Sequence, residues 1–235
     1  MRPPAFRTLA FRYWERIPER FRVGATLMVH TEAMPDPEDP EVFLLGQCEP
    51  EFAELEALLA AGGDLRVSDR RSLLHIWWGS FQAMEERSAA FDWPGELEET
   101  ILHELTHHWE QRAGLDGLDR FDAAQLINFQ RRRGFEVPFG YWRDGEPRGP
   151  HAWHIDGDVF MEVEGLPPWR LDAPTGGKIT CEPDPELGYA VIPGAGEPFD
   201  GVPGDLIVAP RPPEKAAVWT RLWSWLRRSD ERKNH

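Results

Sequence analysis

The hydrophobic positions in the first 81 residues fall into short blocks that predict helices and strands. Residues 21–30 are apolar and rich in β-branched side chains, as are several shorter runs, and such runs are typical of strands. Pro18 interrupts or ends the first helix, and Gly62-Gly63 ends a later one. The predicted elements are a helix at 5–21, strands at 21–30 and 42–45, a helix at 51–61 and a strand at 72–81.

The most regular pattern in the chain predicts a helix over residues 94–113. Pro94 suits the first helical turn, and the glutamates that follow favour the positive end of the helix dipole. Gly114 is a typical helix stop. A second helix is predicted at 118–132.

Proline and glycine become frequent after residue 134, and short β-type runs replace the helical pattern. The clearest of these runs cover 158–163 and 205–208. We therefore predict a domain boundary within 134–150 and a small β-rich domain at 150–210. An apolar face rich in tryptophan predicts a C-terminal helix at 213–230.

Composition narrows the classes of partner. The chain of 235 residues has a formal net charge of −15 and a pI near 5.0, and an acidic surface repels phosphate backbones and anionic lipid. We therefore expect neither nucleic acid as a partner nor a membrane span, because no long uncharged apolar stretch is present. Cys48 and Cys181 lie far apart, and no secretory signal is visible, so a reduced cytoplasmic protein is expected.

The candidate chemistry lies in the predicted helix at 94–113, in His103-Glu104-Leu105-Thr106-His107. Residues four apart share one helix face, so His103 and His107 can present ring nitrogens to a single metal ion. Zinc accepts nitrogen ligands and, in catalytic sites, keeps one position open for water. Glu104 lies beside the pair and is placed to take a proton from that water.

The direction of the motif around the helix agrees with a cleft. His103, Glu104 and His107 lie away from the apolar stripe that the helix must bury. His108 points about 140° from His103, towards the apolar side. We interpret His108 as a structural, hydrogen-bonded histidine and not as a ligand.

A catalytic zinc needs a third protein ligand, and the motif does not contain one. Glu110 shares the face but lies about 10 Å along the helix axis from His103, too far to join both histidines. Asp122 falls at the centre of the inward face of the second helix, where a carboxylate needs a cation or hydrogen bonds. We predict Asp122 as the third ligand, with Asp119 and then Asp116 as alternatives.

The segment ETILHELTHHWE, residues 99–110, resembles the active-site helix of zincin metallopeptidases, and HELTH is the form found in thermolysin-like enzymes. Residues 12–133 are similar to the small bacterial minimal-zincin family, through IPERF, LLGQC, LLHIWWGSF and the motif helix. The resemblance implies His103 and His107 as zinc ligands and Glu104 as the base. It also implies that residues 72–81 form a strand near the cleft that aligns an extended peptide. The chain departs from the family in the EQRAG linker after His108, which leaves the third ligand open.

Residues 157–210 carry a second resemblance, through GDVFMEVEG, IPGAGEP and PGDLIVAP. These pieces are similar to the β-sandwich substrate-binding region of DnaJ-type cochaperones. Ordinary hairpin turns give the same glycine-aspartate pattern. The resemblance implies binding of unfolded polypeptide by strand addition at an exposed sheet edge.

Other polar residues are weaker candidates for a site. His151 and His154, with Asp156 and Asp158 nearby, are more typical of a polar loop than of a second metal centre. One of these histidines, or Tyr141, is a candidate to stabilise an oxyanion.

These observations together predict an α+β protein. A zincin-like metallopeptidase domain with its HExxH helix covers 1–133, and the β-rich domain and C-terminal helix follow. The predicted function is hydrolysis of peptide bonds with one Zn²⁺ ion and a polypeptide substrate. The alternatives are a zinc hydrolase of non-peptide amides, and a non-catalytic, chaperone-like polypeptide-binding module with structural or vestigial zinc.

Overall fold

The computed structural model describes residues 1–37, 39–51, 71–87, 91–172, 176–199 and 201–212. It contains helices and sheets, as an α+β protein does. The chain divides into two compact units, Met1–Asp119 and Arg120–His235, and each is described separately below. The helix predicted at 51–61, apart from Glu51, and the C-terminal helix predicted at 213–230 lie outside the described residues.

The first unit begins with two helices that Pro18 separates. Helix α1 covers Pro3–Arg16 and helix α2 covers Glu19–Arg22. Ile17 is extended, with φ −69° and ψ 126°, because a following proline disfavours the helical conformation. The predicted interruption of the helix at Pro18 is confirmed.

Three strands of the first unit lie side by side in the order β1-β3-β2. Strand β1 is Ala25–His30, β2 is Gly46–Pro50 and β3 is Ser72–Trp77. Strands β1 and β3 are parallel, whereas β2 and β3 are antiparallel.

Two strand predictions need correction. The strand predicted at 42–45 begins instead at Gly46. The run at 72–81 is divided between β3 and helix α3, Trp78–Glu85. Strand β3 is also hydrogen-bonded on both sides, so it has no open edge and cannot align a peptide as the family resemblance implied.

One apolar core holds the first unit together. Alternate residues of β1 and β3, among them Leu27, Leu74 and Ile76, face the buried sides of α1 and of the motif helix. The core consists of Phe6, Ala10, Trp14, Leu27, Leu74, Ile76, Phe81, Trp93, Leu97, Ile101 and Leu105.

The motif helix, α4, covers Trp93–Ala113 and is followed by helix α5, Gly117–Arg132. Gly114 ends α4 in the left-handed conformation, with φ +70°, which glycine adopts without strain. Both predicted helices are confirmed, each with a start one residue earlier than expected. The division between the two units falls after Asp119, within the first turn of α5.

The second unit contains a five-stranded mixed sheet in the order β4-β5-β6-β12-β9. A 3₁₀ turn, Tyr141–Asp144, precedes this sheet. Two pairs of antiparallel strands, β7-β8 and β10-β11, accompany it. The strands are β4 Glu146–Gly149, β5 Ala152–Ile155, β6 Asp158–Val163, β7 Trp169–Asp172, β8 Lys178–Cys181, β9 Ala190–Ile192, β10 Pro198–Phe199, β11 Val202–Pro203 and β12 Leu206–Pro210.

Helix α5 contributes to the core of this second unit. Ala124 is buried against Tyr141, Ile155 and Phe160. The division of the chain therefore comes earlier than the predicted 134–150, because packing and not composition decides to which core a helix belongs. No helix in the described part of the chain is long and apolar enough to cross a membrane.

Candidate metal centre

The two motif histidines lie one turn apart on helix α4 with their Nε2 atoms together. Nε2 of His103 is 3.1 Å from Nε2 of His107. Two nitrogens that each lie ~2.0–2.1 Å from a tetrahedral zinc ion are roughly 3.3 Å apart. The separation in this structure is therefore close to what a shared zinc ion requires.

The tilt of these rings differs from that of another histidine pair in the same unit. His30 and His75 have Nε2 and Nδ1 2.8 Å apart, ring centroids 5.0 Å apart and planes within 21° of parallel, as in a direct N–H···N hydrogen bond. His103 and His107 have the longer nitrogen separation but the shorter centroid separation, 4.8 Å, with planes at 74°. The planes of the His103 and His107 rings are therefore steeply inclined to each other, and their Nε2 atoms are also within hydrogen-bonding distance.

Asp119 orients one of the two rings. Its Oδ1 lies 2.9 Å from Nδ1 of His107. A carboxylate in this position holds the proton on Nδ1 and leaves the Nε2 lone pair for a metal, as in the carboxylate–histidine pairs of many metal sites. The structure thus places Asp119, the alternative third ligand, against the Nδ1 nitrogen of His107, itself a candidate ligand.

Asp122 is the third member of the group. One ligand atom each from His103, His107 and Asp122 lies within 4.8 Å of the others. Within the first unit, Glu110 near the end of α4 accepts a hydrogen bond of 2.8 Å from the backbone N–H of Leu118. Asp116 lies in the turn between α4 and α5 and is not part of the group.

Glu104 is buried beside the first residue of strand β2. Its side chain is 5% exposed. A Cβ atom added to Gly46 would lie 2.6 Å from Oε1 of Glu104 and 2.7 Å from its Cγ, so glycine is the residue that this contact allows. The requirement for glycine at position 46 was not predicted, although the LLGQC segment places a glycine just before the strand.

The pKa of Cys48 shows that the surroundings of Glu104 and Asp119 are negatively charged. Burial, with smaller contributions from the negative charges of Glu104, Asp119 and Glu49, raises the pKa of its thiol to about 12, against a hydrogen bond with Ser72 that lowers it. The same negative charges that oppose a thiolate favour a cation. The donor set and the local charge therefore both fit a divalent metal ion.

His108 is structural, as predicted. It is fully buried, with Nδ1 2.9 Å from the Ser72 hydroxyl and Nε2 3.1 Å from the Val23 carbonyl oxygen. Because the carbonyl can only accept, Nε2 carries the proton and Nδ1 accepts from Ser72. Burial lowers the pKa of His108, so the neutral ring is favoured.

The other polar candidates lie in the second unit and have different partners. The Tyr141 hydroxyl is buried and donates to Oδ1 of Asn128 at 2.7 Å. Oδ2 of Asp158 accepts from Arg131, Arg132 and Asn128. His154 lies between Glu146 and Glu197, whereas His151 is exposed. No second group of three metal-ligating side chains occurs among the residues that the structure describes.

Comparisons with known proteins supply no activity. No protein-family model matches the chain, and no curated protein matches it. Among solved structures, the chain is similar to a conserved hypothetical protein from T. thermophilus. The two are 33% identical, with a TM-score of 0.37, over a match that covers 47% of this chain and 96% of the other.

Proposed function

We propose that this protein is a zinc-dependent metallopeptidase whose metal ligands are His103, His107 and Asp122. The proposal rests on one observation: the Nε2 atoms of the two histidines lie 3.1 Å apart, and a ligand atom of Asp122 lies within 4.8 Å of a ligand atom of each. Two imidazoles and one carboxylate are a donor set of catalytic zinc sites. Three protein ligands leave a coordination position for water.

Glu104 is the proposed general base. A bound zinc ion supplies two effects at such a site, a lowered pKa of its water and polarisation of the scissile carbonyl. Glu104 follows His103 directly on the helix, and its burial beside Gly46 restricts the directions in which the carboxylate can turn. The carboxylate accepts a proton from water and returns it to the amine nitrogen of the leaving group.

The position of strand β2 favours an extended peptide as substrate. Strand β2 pairs with β3 on one side and has no second strand neighbour among the described residues. An extended peptide can add to such an edge through backbone hydrogen bonds. Gly46 at the start of β2 lies against Glu104, so a peptide along this edge would pass beside the proposed base.

The decisive experiment combines metal analysis with peptide hydrolysis. The full chain is stripped with a chelator, reloaded with zinc and incubated with unfolded casein. We expect about one zinc ion per chain and cleavage that chelation abolishes. Substitution of His103, His107 or Asp122 by alanine should lower both metal content and cleavage.

Glu104→Gln separates catalysis from metal binding. It should retain zinc and lose cleavage by about 10²–10⁴-fold, because glutamine cannot accept the proton. Glu99→Gln, which changes an exposed residue of the same helix, is the matched control and should retain full activity. Unaltered cleavage by Glu104→Gln, or zinc-loaded wild type that cuts no polypeptide, would overturn the proposal.

A further inference from the structure

The first 23 residues of the chain are basic, although the chain as a whole is acidic. They contain six arginines and two glutamates, whereas the formal net charge of the whole chain is −15. Every one of these arginines except Arg22 has an exposed side chain. Arg12 and Arg16 lie four residues apart on helix α1 and so share one side of it, and Arg20 lies on α2.

Most of these arginines have no carboxylate partner. Arg16 lies 4.0 Å from Glu98, at the outer limit of an ion pair, and both side chains are exposed to solvent. Arg7, Arg12 and Arg20 form no ion pair with any carboxylate in the described part of the chain. Because the chain has 41 acidic residues, these unpaired positive charges stand out. They are available to an anionic group from outside the protein.

The aromatic rings of this segment are already in contact with guanidinium groups. Proteins that bind single-stranded nucleic acid stack the bases on open aromatic faces. Here a guanidinium carbon lies 4.8–5.6 Å from each ring centroid, with Arg7 over Phe11, Arg16 over Tyr13, Arg20 over Phe21 and Arg22 over Trp14. These contacts cover ring faces that a base would need, which argues against nucleic acid as the partner.

An apolar groove of about 460 Å³ lies beside the arginines, and Arg16 is one of the residues that line it. Phe21 and Leu102 on its walls are 44% and 48% exposed. The Trp109 indole N–H and the Thr106 hydroxyl, which also line it, donate to carbonyl oxygens within the protein. A groove receives apolar side chains from a partner, whereas insertion into a bilayer requires apolar side chains that project. The groove therefore favours a protein partner over a membrane.

The net charge of the chain limits the size of the anionic partner. An extended polyanion, such as nucleic acid or an anionic bilayer, meets the acidic remainder of the chain as well as the arginines. Charges separated by more than the Debye length, about 8 Å at physiological ionic strength, are largely screened from each other. A short acidic segment is therefore attracted by the nearby arginines without being repelled by the whole chain.

We infer that the arginines of helices α1 and α2, with the groove beside them, bind an acidic polypeptide segment that carries large apolar side chains such as leucine. Charge complementarity defines this partner: its carboxylates pair with Arg12, Arg16 and Arg20, and its apolar side chains enter the groove. The inference concerns a binding partner and not the substrate, so it does not depend on the metal centre.

The test uses three short peptides with blocked ends. The first contains glutamates and two leucines, the second has glutamine in place of each glutamate, and the third has serine in place of each leucine. Fluorescence anisotropy measures their affinity for the full chain. We expect the first peptide to bind about tenfold more tightly than either of the others, which corresponds to a few exposed ion pairs or one buried apolar side chain. Added salt should weaken its binding.

Two charge-reversed chains locate the ion pairs. Arg12→Glu combined with Arg20→Glu should lower affinity for the first peptide about tenfold or more, because repulsion replaces attraction at both positions. Arg170→Glu combined with Lys178→Glu, at two exposed residues of the second unit, changes the net charge by the same amount. This control should bind the first peptide as the wild type does.

Two matched leucine variants locate the apolar contact. Leu102→Ser, on the groove wall, should lower affinity for the first peptide but not for the peptide without leucines. Leu115→Ser changes another exposed leucine, 59% exposed and outside the groove, and should bind both peptides as the wild type does. Far-UV circular dichroism checks that every variant is folded.

The results either support or overturn the acidic polypeptide as the partner. Equal affinity for the three peptides overturns it, as does an equal loss in the two charge-reversed chains, because net charge alone would then explain the binding. Vesicles of phosphatidylcholine and phosphatidylserine in equal parts, and a single-stranded RNA, are tested in the same way. If either binds more tightly than the first peptide and is released by the reversal of Arg12 and Arg20, the surface recognises that polyanion instead.

Discussion

Nδ1 of His107 lies 2.9 Å from a carboxylate oxygen of Asp119, on the side of the ring opposite the proposed metal. This contact gives the two aspartates of helix α5 different tasks. Asp122 offers an oxygen to the group formed with His103 and His107, whereas Asp119 holds the His107 ring and its tautomer. Because their roles differ, substitution of Asp122 and substitution of Asp119 should lower zinc affinity by different amounts.

Asp119→Asn should weaken zinc binding by about 10–100-fold without abolishing it. Asparagine can still accept the hydrogen bond from Nδ1, but it lacks the negative charge that makes the imidazole a better donor to the metal. Competition with a chromophoric chelator measures the affinity. Asp116→Asn, in the adjoining turn, is the control and should bind zinc as the wild type does. If Asp119→Asn loses zinc as completely as Asp122→Ala, then Asp119 is itself a ligand.

Gly46→Ala should reduce kcat by about tenfold or more while zinc content is unchanged, since displacing a general base removes part of its 10²–10⁴-fold contribution. The added Cβ would lie 2.6 Å from Oε1 of Glu104 and 2.7 Å from Cγ2 of Thr100, so these side chains must shift, and we expect the carboxylate to move with them. Steady-state hydrolysis of a fluorogenic peptide gives kcat and KM separately. Gln47→Ala, the next residue of β2, is the control. An unchanged kcat for Gly46→Ala would mean that Glu104 can move without cost.

The sequence predicted helix α4 well because its start, stop and apolar stripe agree with one another. The positions of His103 and His107 followed from helix geometry alone. Asp122 was also chosen by its predicted place at the centre of the inward face of the second helix, but the buried residues of that helix are Ala124 and Asn128, on a different side. A ligand atom of Asp122 nevertheless lies within 4.8 Å of those of His103 and His107. The contacts of Asp119 and Gly46 depend on tertiary packing, which no local pattern contains.

The apolar run at 72–81 shows why other elements could not be placed. A short run of large apolar residues is compatible with a strand or with a buried helix. Tertiary packing decides where the strand ends and the helix begins. Gly79 approaches the backbone of Glu32 and Ala33, and the Ser80 hydroxyl accepts a hydrogen bond of 2.9 Å from the Met34 N–H. Both contacts join residues more than forty positions apart, so the start of helix α3 could not be read from the run itself.

Acidification should destabilise the metal-free chain partly through His75. Burial lowers the pKa of this ring and His30 lowers it further, against Glu49, which raises it. The unfolded chain, with a histidine pKa of about 6.5, therefore takes up the proton first, so stability falls as the pH drops below that value. Urea unfolding of chelator-treated protein at pH 7.5 and 5.5 measures the loss.

His75→Gln tests that assignment, because glutamine can keep a hydrogen bond to His30 but does not titrate. This variant should lose less stability than the wild type over the same pH interval. His108 titrates in the same direction in both proteins and so cancels from the comparison. If the wild type and His75→Gln lose the same amount of stability between pH 7.5 and 5.5, His75 does not contribute to the acid sensitivity.

In the second unit, Asp158→Asn should lower the free energy of unfolding by about 3–5 kcal/mol, which is the usual effect of breaking a buried ion pair. The Asp158 side chain is fully buried, and its Oδ2 lies 2.6 Å from Arg131 and 2.8 Å from Arg132. Burial raises the pKa of Asp158, but hydrogen bonds from Arg132, the Asp205 amide and Asn128 lower it by more, so the pKa lies below its usual value. The stabilisation is therefore complete above pH ~3.9, the unfolded value, and is lost as the pH falls through the lower folded pKa. Urea unfolding at pH 7, followed by circular dichroism, measures this loss of stability. The control is Asp172→Asn, which changes an exposed residue of β7. Equal stability of the two variants would contradict the prediction.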